Sequence, residues 1–135
     1  MRVLVDTSAL LALANARDQY HARAVRAARA HEATGGRYIG TTAVLAEFHA
    51  HVMYVRGPAQ AREAVRQLLA DPAHEWLAVS PEIVHHALTG WLTKFPDQRF
   101  SLTDAISFEI MRRARVTHAF AFDHHFEVAG FKLIA

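Results

Sequence analysis

Val3-Leu4-Val5 is an unbroken apolar run that ends on an acid, Asp6, and is followed at once by Thr7-Ser8 and the helix formers Ala9 to Ala14. A strand with one face in water alternates, whereas a strand covered on both faces, as in a parallel sheet, does not. The run therefore predicts a buried parallel strand with Asp6 at its carboxyl edge, the edge beyond which open α/β sheets bind ligands. Thr7-Ser8 can cap the free N–H groups of the helix that follows. Asp6 reads equally well as a cap or turn residue when taken alone. Three further acids with comparable placements change that balance.

The rest of the chain alternates in the same way, without repeats or a linker. A polar helix is predicted from Asp18 to Ala33, with Tyr20, Ala24, Val25 and Ala28 on one side and Arg23, Arg26 and Arg29 as a stripe towards phosphate or water. Gly35-Gly36 stops it, Arg37 to Gly40 is a brief strand, and Thr41-Thr42 caps a helix from Thr42 to Arg56. Val44, Phe48, His51, Val52 and Val55 are predicted on its buried face, with Glu47 at the border of that face. Glu47 would be an ordinary surface residue otherwise. Ala59 to Leu69 is predicted helical, Glu75 to Val79 a strand, and Pro81 to about Phe95 a helix. Leu102 to Ala114 forms a helix packed on two sides, with Asp104 in its first turn. Ser101-x-x-Asp104 also fits a capping box, which leaves two roles open for that acid. Thr117 to Asp123 is predicted as a strand ending in an acid, and Phe131 to Ile134 as a short last strand. Alternating strands and helices imply one α/β domain over 1–135 with a parallel sheet.

Composition narrows the chemistry. The 135 residues are 52% hydrophobic and 21% charged, as in a folded globular domain. The start runs straight into a strand with no signal-peptide pattern, and no apolar stretch reaches membrane-spanning length, so a cytoplasmic protein is expected. The absence of cysteine excludes disulfides and thiolate metal sites. Basic residues are thirteen Arg against two Lys, a bias suited to phosphate but equally to a high-GC coding sequence.

Asp6, Glu47, Asp104 and Asp123 can all meet beyond the carboxyl edge of one sheet. Four carboxylates in one pocket raise one another's pKa and call for a divalent cation. With oxygen ligands, Mg²⁺ or Mn²⁺ fits best, and such a site suits phosphodiester hydrolysis. His124-His125 after Asp123 invites an Asp-His-His phosphoesterase assignment. That family, however, needs further acids and histidines in another order, and the pair is expected on a polar loop. A haloacid-dehalogenase-type phosphatase needs a second acid where Ser8 stands, and a receiver domain needs paired early acids and a late lysine.

Asp6-Thr7-Ser8-Ala9-Leu10, Glu47 within Thr42 to Glu47, Ser101-Leu102-Thr103-Asp104-Ala105 and Ala121-Phe122-Asp123-His124-His125-Phe126 resemble, in order, the four motifs of the PIN-domain nucleases, in particular the VapC-type toxins. The resemblance implies an α/β/α sandwich with a five-stranded parallel sheet, its first strand central, and paired subunits. It implies Mg²⁺- or Mn²⁺-dependent endoribonuclease activity, with Asp6 and Asp104 as principal metal ligands and Glu47 and Asp123 completing the set. Ser8 matches the hydroxyl residue that supports the first acid. RNA substrate, a small cognate antitoxin and a homodimer are the implied partners. A PIN-fold nuclease of RNA processing without toxin role, and a non-catalytic RNA-binding module, are the alternatives.

Overall fold

The computed structural model describes residues 1–135. Five strands form a single sheet: β1 (Arg2–Val5), β2 (Arg37–Thr41), β3 (His74–Leu77), β4 (His118–Phe120) and β5 (Lys132–Leu133). Their order is β3-β2-β1-β4-β5, and every neighbouring pair is parallel. The expected all-parallel sheet with a central first strand is therefore what the chain builds. The connections are α1 (Thr7–Ala14), α2 (His21–Ala33), α3 (Thr42–Arg56), α4 (Pro58–Ala70), α5 (Pro81–Ala87), α6 (Leu102–Ala114) and α7 (His125–Val128). None of the helices is long and apolar enough to cross a membrane.

The unbroken run in β1 is explained by its two covered faces. Val3 and Val5 join Ala9, Leu10, Ala24, Val44, Phe48 and Phe120 in the core beneath α1 to α4. Leu4 turns the other way, to Ile39, Phe108, Met111, Ala119 and Phe126 beneath α6 and α7. Each fully buried branched aliphatic contributes about 1.5–3 kcal/mol of burial free energy, so the pattern commits this segment to the middle of the sheet. Gly40 in β2 is required by contact: a Cβ there would run into the Trp76 ring of the neighbouring strand.

Because the chain moves to one side of β1 for β2 and β3 and to the other for β4 and β5, the sheet reverses direction at β1. The crevice that opens at such a switch point lies between the carboxyl ends of β1 and its neighbour.

Four expectations need correction. The strand predicted from Thr117 to Asp123 stops at Phe120, since its partner β1 ends where Asp6 turns into α1; the last pair is Val5 with Phe120, and Asp6 N–H donates to Phe120 O at 3.0 Å. Asp123 thus sits in the connection beyond the strand. On α3, His51 and Val55 are exposed, Val55 by 72%, because the buried stripe runs through Val44, Leu45, Phe48 and Val52, and the last turns instead border a groove shared with α1 and α4. The helix opened by Pro81 changes to a π-helical turn over Leu88–Leu92, with Thr93 N–H donating to Leu88 O at 2.9 Å. That turn presents Trp91, whose Nε1–H donates to the buried Glu109 of α6 at 3.2 Å. Finally, His125 does not lie on a polar loop but begins α7. The edges of the remaining elements differ from expectation by a few residues, as at α2, which starts at His21.

Candidate metal centre

The cleft at the switch point has a volume of about 370 Å³ and is lined by Asp6, Ser8, Glu47, Asp104 and Asp123, with Thr7, Leu11, His51, Arg99, Ser101 and His125. All four acids singled out in the sequence therefore share one pocket. Each arrives from a different element: Asp6 from the end of β1, Glu47 from α3, Asp104 from α6 and Asp123 from the segment after β4.

Asp6 is the N-cap of α1, and both of its readings hold at once. Its Oδ2 accepts the Ser8 backbone N–H at 3.2 Å and the Ser8 hydroxyl at 2.6 Å. Ser8 Oγ in turn accepts the Phe122 N–H at 2.9 Å, so a single hydroxyl pins the first acid to the chain just before Asp123. Asp104 likewise serves as cap and cleft residue. Its N–H donates to Ser101 Oγ at 3.0 Å and its Oδ2 accepts Ser101 N–H at 3.0 Å, which completes a capping box. Asp123 Oδ1 accepts the His125 N–H at 2.9 Å.

In each aspartate one oxygen is committed to the protein and the other is not. Asp6 Oδ1, Asp104 Oδ1 and Asp123 Oδ2 receive no protein hydrogen bond, and neither do the oxygens of Glu47. Burial pushes Asp6 up to about 6; the Ser8 bonds oppose this, while the charges of Asp104 and Glu47 add to it. Burial also raises Asp104, with Asp123 adding to the shift and the Ser101 and His125 bonds working against it.

Glu109 makes an instructive contrast. It is as buried as Asp6, yet Arg112 and Arg113 each bond its Oε2 at 2.7 Å, and with Trp91 they outweigh burial and hold it down to about 2. The chain has supplied cations to its structural acid and none to Asp6. The Thr7 hydroxyl, buried beside Asp6, is also without a hydrogen-bond partner. Unpaired hard oxygens, a raised carboxyl and an orphaned hydroxyl fit a divalent cation of the Mg²⁺ or Mn²⁺ type.

Two features were not foreseen. One is Arg99, the single arginine on the cleft wall; the Arg23, Arg26 and Arg29 stripe is exposed on α2, where Arg23 Nη2 donates to Ala135 O at 2.7 Å. The other is His125, whose Nδ1 lies 3.3 Å from both Asp104 Oδ2 and Asp123 Oδ1. Asp123, His124 and His125 are also the one set of three ligand-type side chains whose donor atoms fall within 4.8 Å of one another. The His-His pair after Asp123 was the available signal, but sequence order could not say which ring turns inward.

Replacing Ser8 by Ala is expected to destabilise the chain by about 1–3 kcal/mol, because Phe122 N–H loses its acceptor and Asp6 its shortest bond. It should also push the Asp6 carboxyl still higher and weaken cation uptake. Denaturant melts with and without Mn²⁺ measure both effects, and an unchanged melt in each would refute the bridging role.

A family model described as PIN domain matches residues 3–132. Over a stretch of 41 residues the chain is 42% identical to the 23S rRNA-specific endonuclease VapC20 of Mycobacterium tuberculosis; that stretch is 30% of this chain and 31% of the relative, so the match spans about a third of the relative's length. The crystal structure of Mycobacterium tuberculosis VapC20, a sarcin-ricin loop cleaving toxin, superposes with a TM-score of 0.84 at 28% identity, over 96% of this chain and 95% of that one. VapBC2 from Rickettsia felis, bound to a DNA fragment from its promoter, gives a TM-score of 0.72 at 12% identity over 98% and 97% of the two chains, a likeness of fold alone.

Proposed function

The chain belongs to the PIN-domain family, and on that premise we propose that it is a divalent-metal-dependent endoribonuclease, the toxin of a VapBC-type pair. The observation that carries the proposal is the convergence of four acids from separate elements into one cleft, with a free oxygen on each and no lysine or arginine paired with any of them. The near full-length likeness to VapC20 supports RNA as the substrate class and toxin as the role.

Asp6 and Asp104, the two most buried of the four cleft acids, are the principal ligands in this reading, with Glu47 and Asp123 completing the set. A divalent cation held there supplies an activated water and neutralises charge on the phosphoryl oxygens. Ser8 holds Asp6 in place. Arg99, exposed on the wall, offers a forked set of donors to the phosphates entering the cleft. With its carboxyl pushed up to about 6, Asp6 would have to be ionised to hold the cation, which would couple site loading to pH. A small antitoxin partner, a homodimer and a cytoplasmic place of work are proposed from the family resemblance.

The test is incubation of the purified chain with 23S rRNA, an isolated sarcin–ricin hairpin and a mixed structured RNA pool, in Mg²⁺, Mn²⁺ or EDTA, with mapping of cut ends. Discrete cuts that vanish in EDTA are expected. RNA left intact and protected in every condition would instead identify a binding module. Growth arrest on induced expression, relieved by the product of a neighbouring small gene, separates a toxin from a processing nuclease.

A further inference from the structure

His125 does more in the cleft than line it. Its ring stands edge-on to Phe100 with centroids 5.2 Å apart, and its Nδ1 reaches one oxygen of each of two acids, Asp104 Oδ2 and Asp123 Oδ1, at 3.3 Å. An ionised carboxylate only accepts, so Nδ1 carries the hydrogen and is not the nitrogen with a free lone pair. This ring N–H thus donates to Asp104 on α6 while standing in charge contact with Asp123 after β4, the two elements that bring these acids to the cleft.

The consequence lies in the oxygens that remain. Asp104 Oδ2 already takes the Ser101 N–H, and Asp123 Oδ1 already takes the backbone N–H of His125 itself. The ring hydrogen-bonds Asp104 Oδ2 and stands 3.3 Å from Asp123 Oδ1, on the side of each carboxyl already engaged, leaving Asp104 Oδ1 and Asp123 Oδ2 without a protein donor. Carboxyl torsions are broad and nearly two-fold, so without such ties an aspartate presents a spread of orientations. We propose that His125 is a positioning residue for the cation site: it orients Asp104 and Asp123 so that each offers a single oxygen to the ion, and it is not a ligand itself. This rests on the metal-dependent reading above. Small octahedral cations such as Mg²⁺ reward single-oxygen, well-directed ligands, and loss of the partners that orient ligands typically costs 10–100-fold in affinity.

Two kinds of variant separate the roles of this ring. His125→Phe keeps the aromatic contact with Phe100 and removes the donor, with His125→Ala as a second donor-less variant. His125→Asn places an amide N–H near the position of Nδ1 and restores the donor. Mg²⁺ and Mn²⁺ are titrated calorimetrically into the full chain of each, with circular dichroism as the control for folding. The cation concentration giving half-maximal RNA cleavage is read in parallel.

His125→Phe and His125→Ala are expected to fold and to bind cation about 10–100-fold more weakly. Their cleavage should be largely recovered at saturating cation, and His125→Asn should stay near wild type. Unchanged affinity in the donor-less variants overturns the proposal. Equal loss in the Asn and Phe variants, steeper for Mn²⁺ than for Mg²⁺, overturns it in favour of direct ligation by the imidazole. Should the wild type itself take up neither ion, the metal-dependent reading fails, and the positioning role with it.

Discussion

Asp104→Asn is expected to lower RNA cleavage on the order of 10³-fold while leaving the chain folded. A metal site contributes several kcal/mol to stabilising charge in the transition state, and each 1.4 kcal/mol is about tenfold in rate. The amide oxygen of Asn can still accept the Ser101 N–H, so the capping box survives. Asp104→Ala removes the box as well, and should cost about 1 kcal/mol of stability on top of the same loss of cleavage. Cleavage kinetics and denaturant melts of the two variants separate the roles that this one acid combines. If activity persists in Asp104→Asn and falls only with stability in Asp104→Ala, the residue is a cap and nothing more.

Asp6 gives the second large effect, on stability rather than rate. Its carboxyl stands at about 6 in the folded chain against an ordinary 3.8, so the folded state binds a proton that the unfolded state releases. In the absence of divalent cation, the stabilisation from that proton is complete below about pH 4 and is lost as pH rises through about 6. At 1.4 kcal/mol per unit, the loss is roughly 3 kcal/mol at most. Asp6→Asn cannot ionise and keeps an acceptor for Ser8, so its melts in EDTA should be flatter over this window and higher at pH 7 to 8. Saturating Mg²⁺ or Mn²⁺ should restore the wild type at neutral pH and leave Asp6→Asn nearly unmoved. Coincident pH profiles for the two proteins in EDTA would show that Asp6 carries no unpaired charge.

The acid Glu109 explains why such tests discriminate. Loss of a paired structural carboxylate exposes Arg112 and Arg113 to an empty partner and destabilises the fold at any pH where both are charged. Loss of an unpaired one relieves strain. The two kinds of buried acid look alike in sequence and respond in opposite ways to neutralisation.

Much of this was legible in the chain itself. Val3-Leu4-Val5 had to lie between two layers, because three consecutive apolar residues place side chains on both faces of a strand. Asp6 and Asp104 could be placed because cap chemistry is local, Asp6 meeting Ser8 and Ser101 meeting Asp104 within three residues of chain, although Asp6 and not Thr7-Ser8 turned out to cap α1 and the tie from Ser8 to Asp6 was implied only by the family resemblance. The alternation of strands and helices specified the parallel sheet, and the carboxyl edge of that sheet brought the four acids to one cleft. Other features needed neighbours distant in sequence. Where β4 ends was decided by where β1 turns into α1, and the path from Phe122 to His125 by Ser8 Oγ and the Asp123 carboxyl. Which of two adjacent histidines turns inward depended on Phe100 and Asp104 across the crevice. Periodicity and capping are written in runs of a few residues, but a side chain's partner on another element exists only once the sheet has assembled around β1.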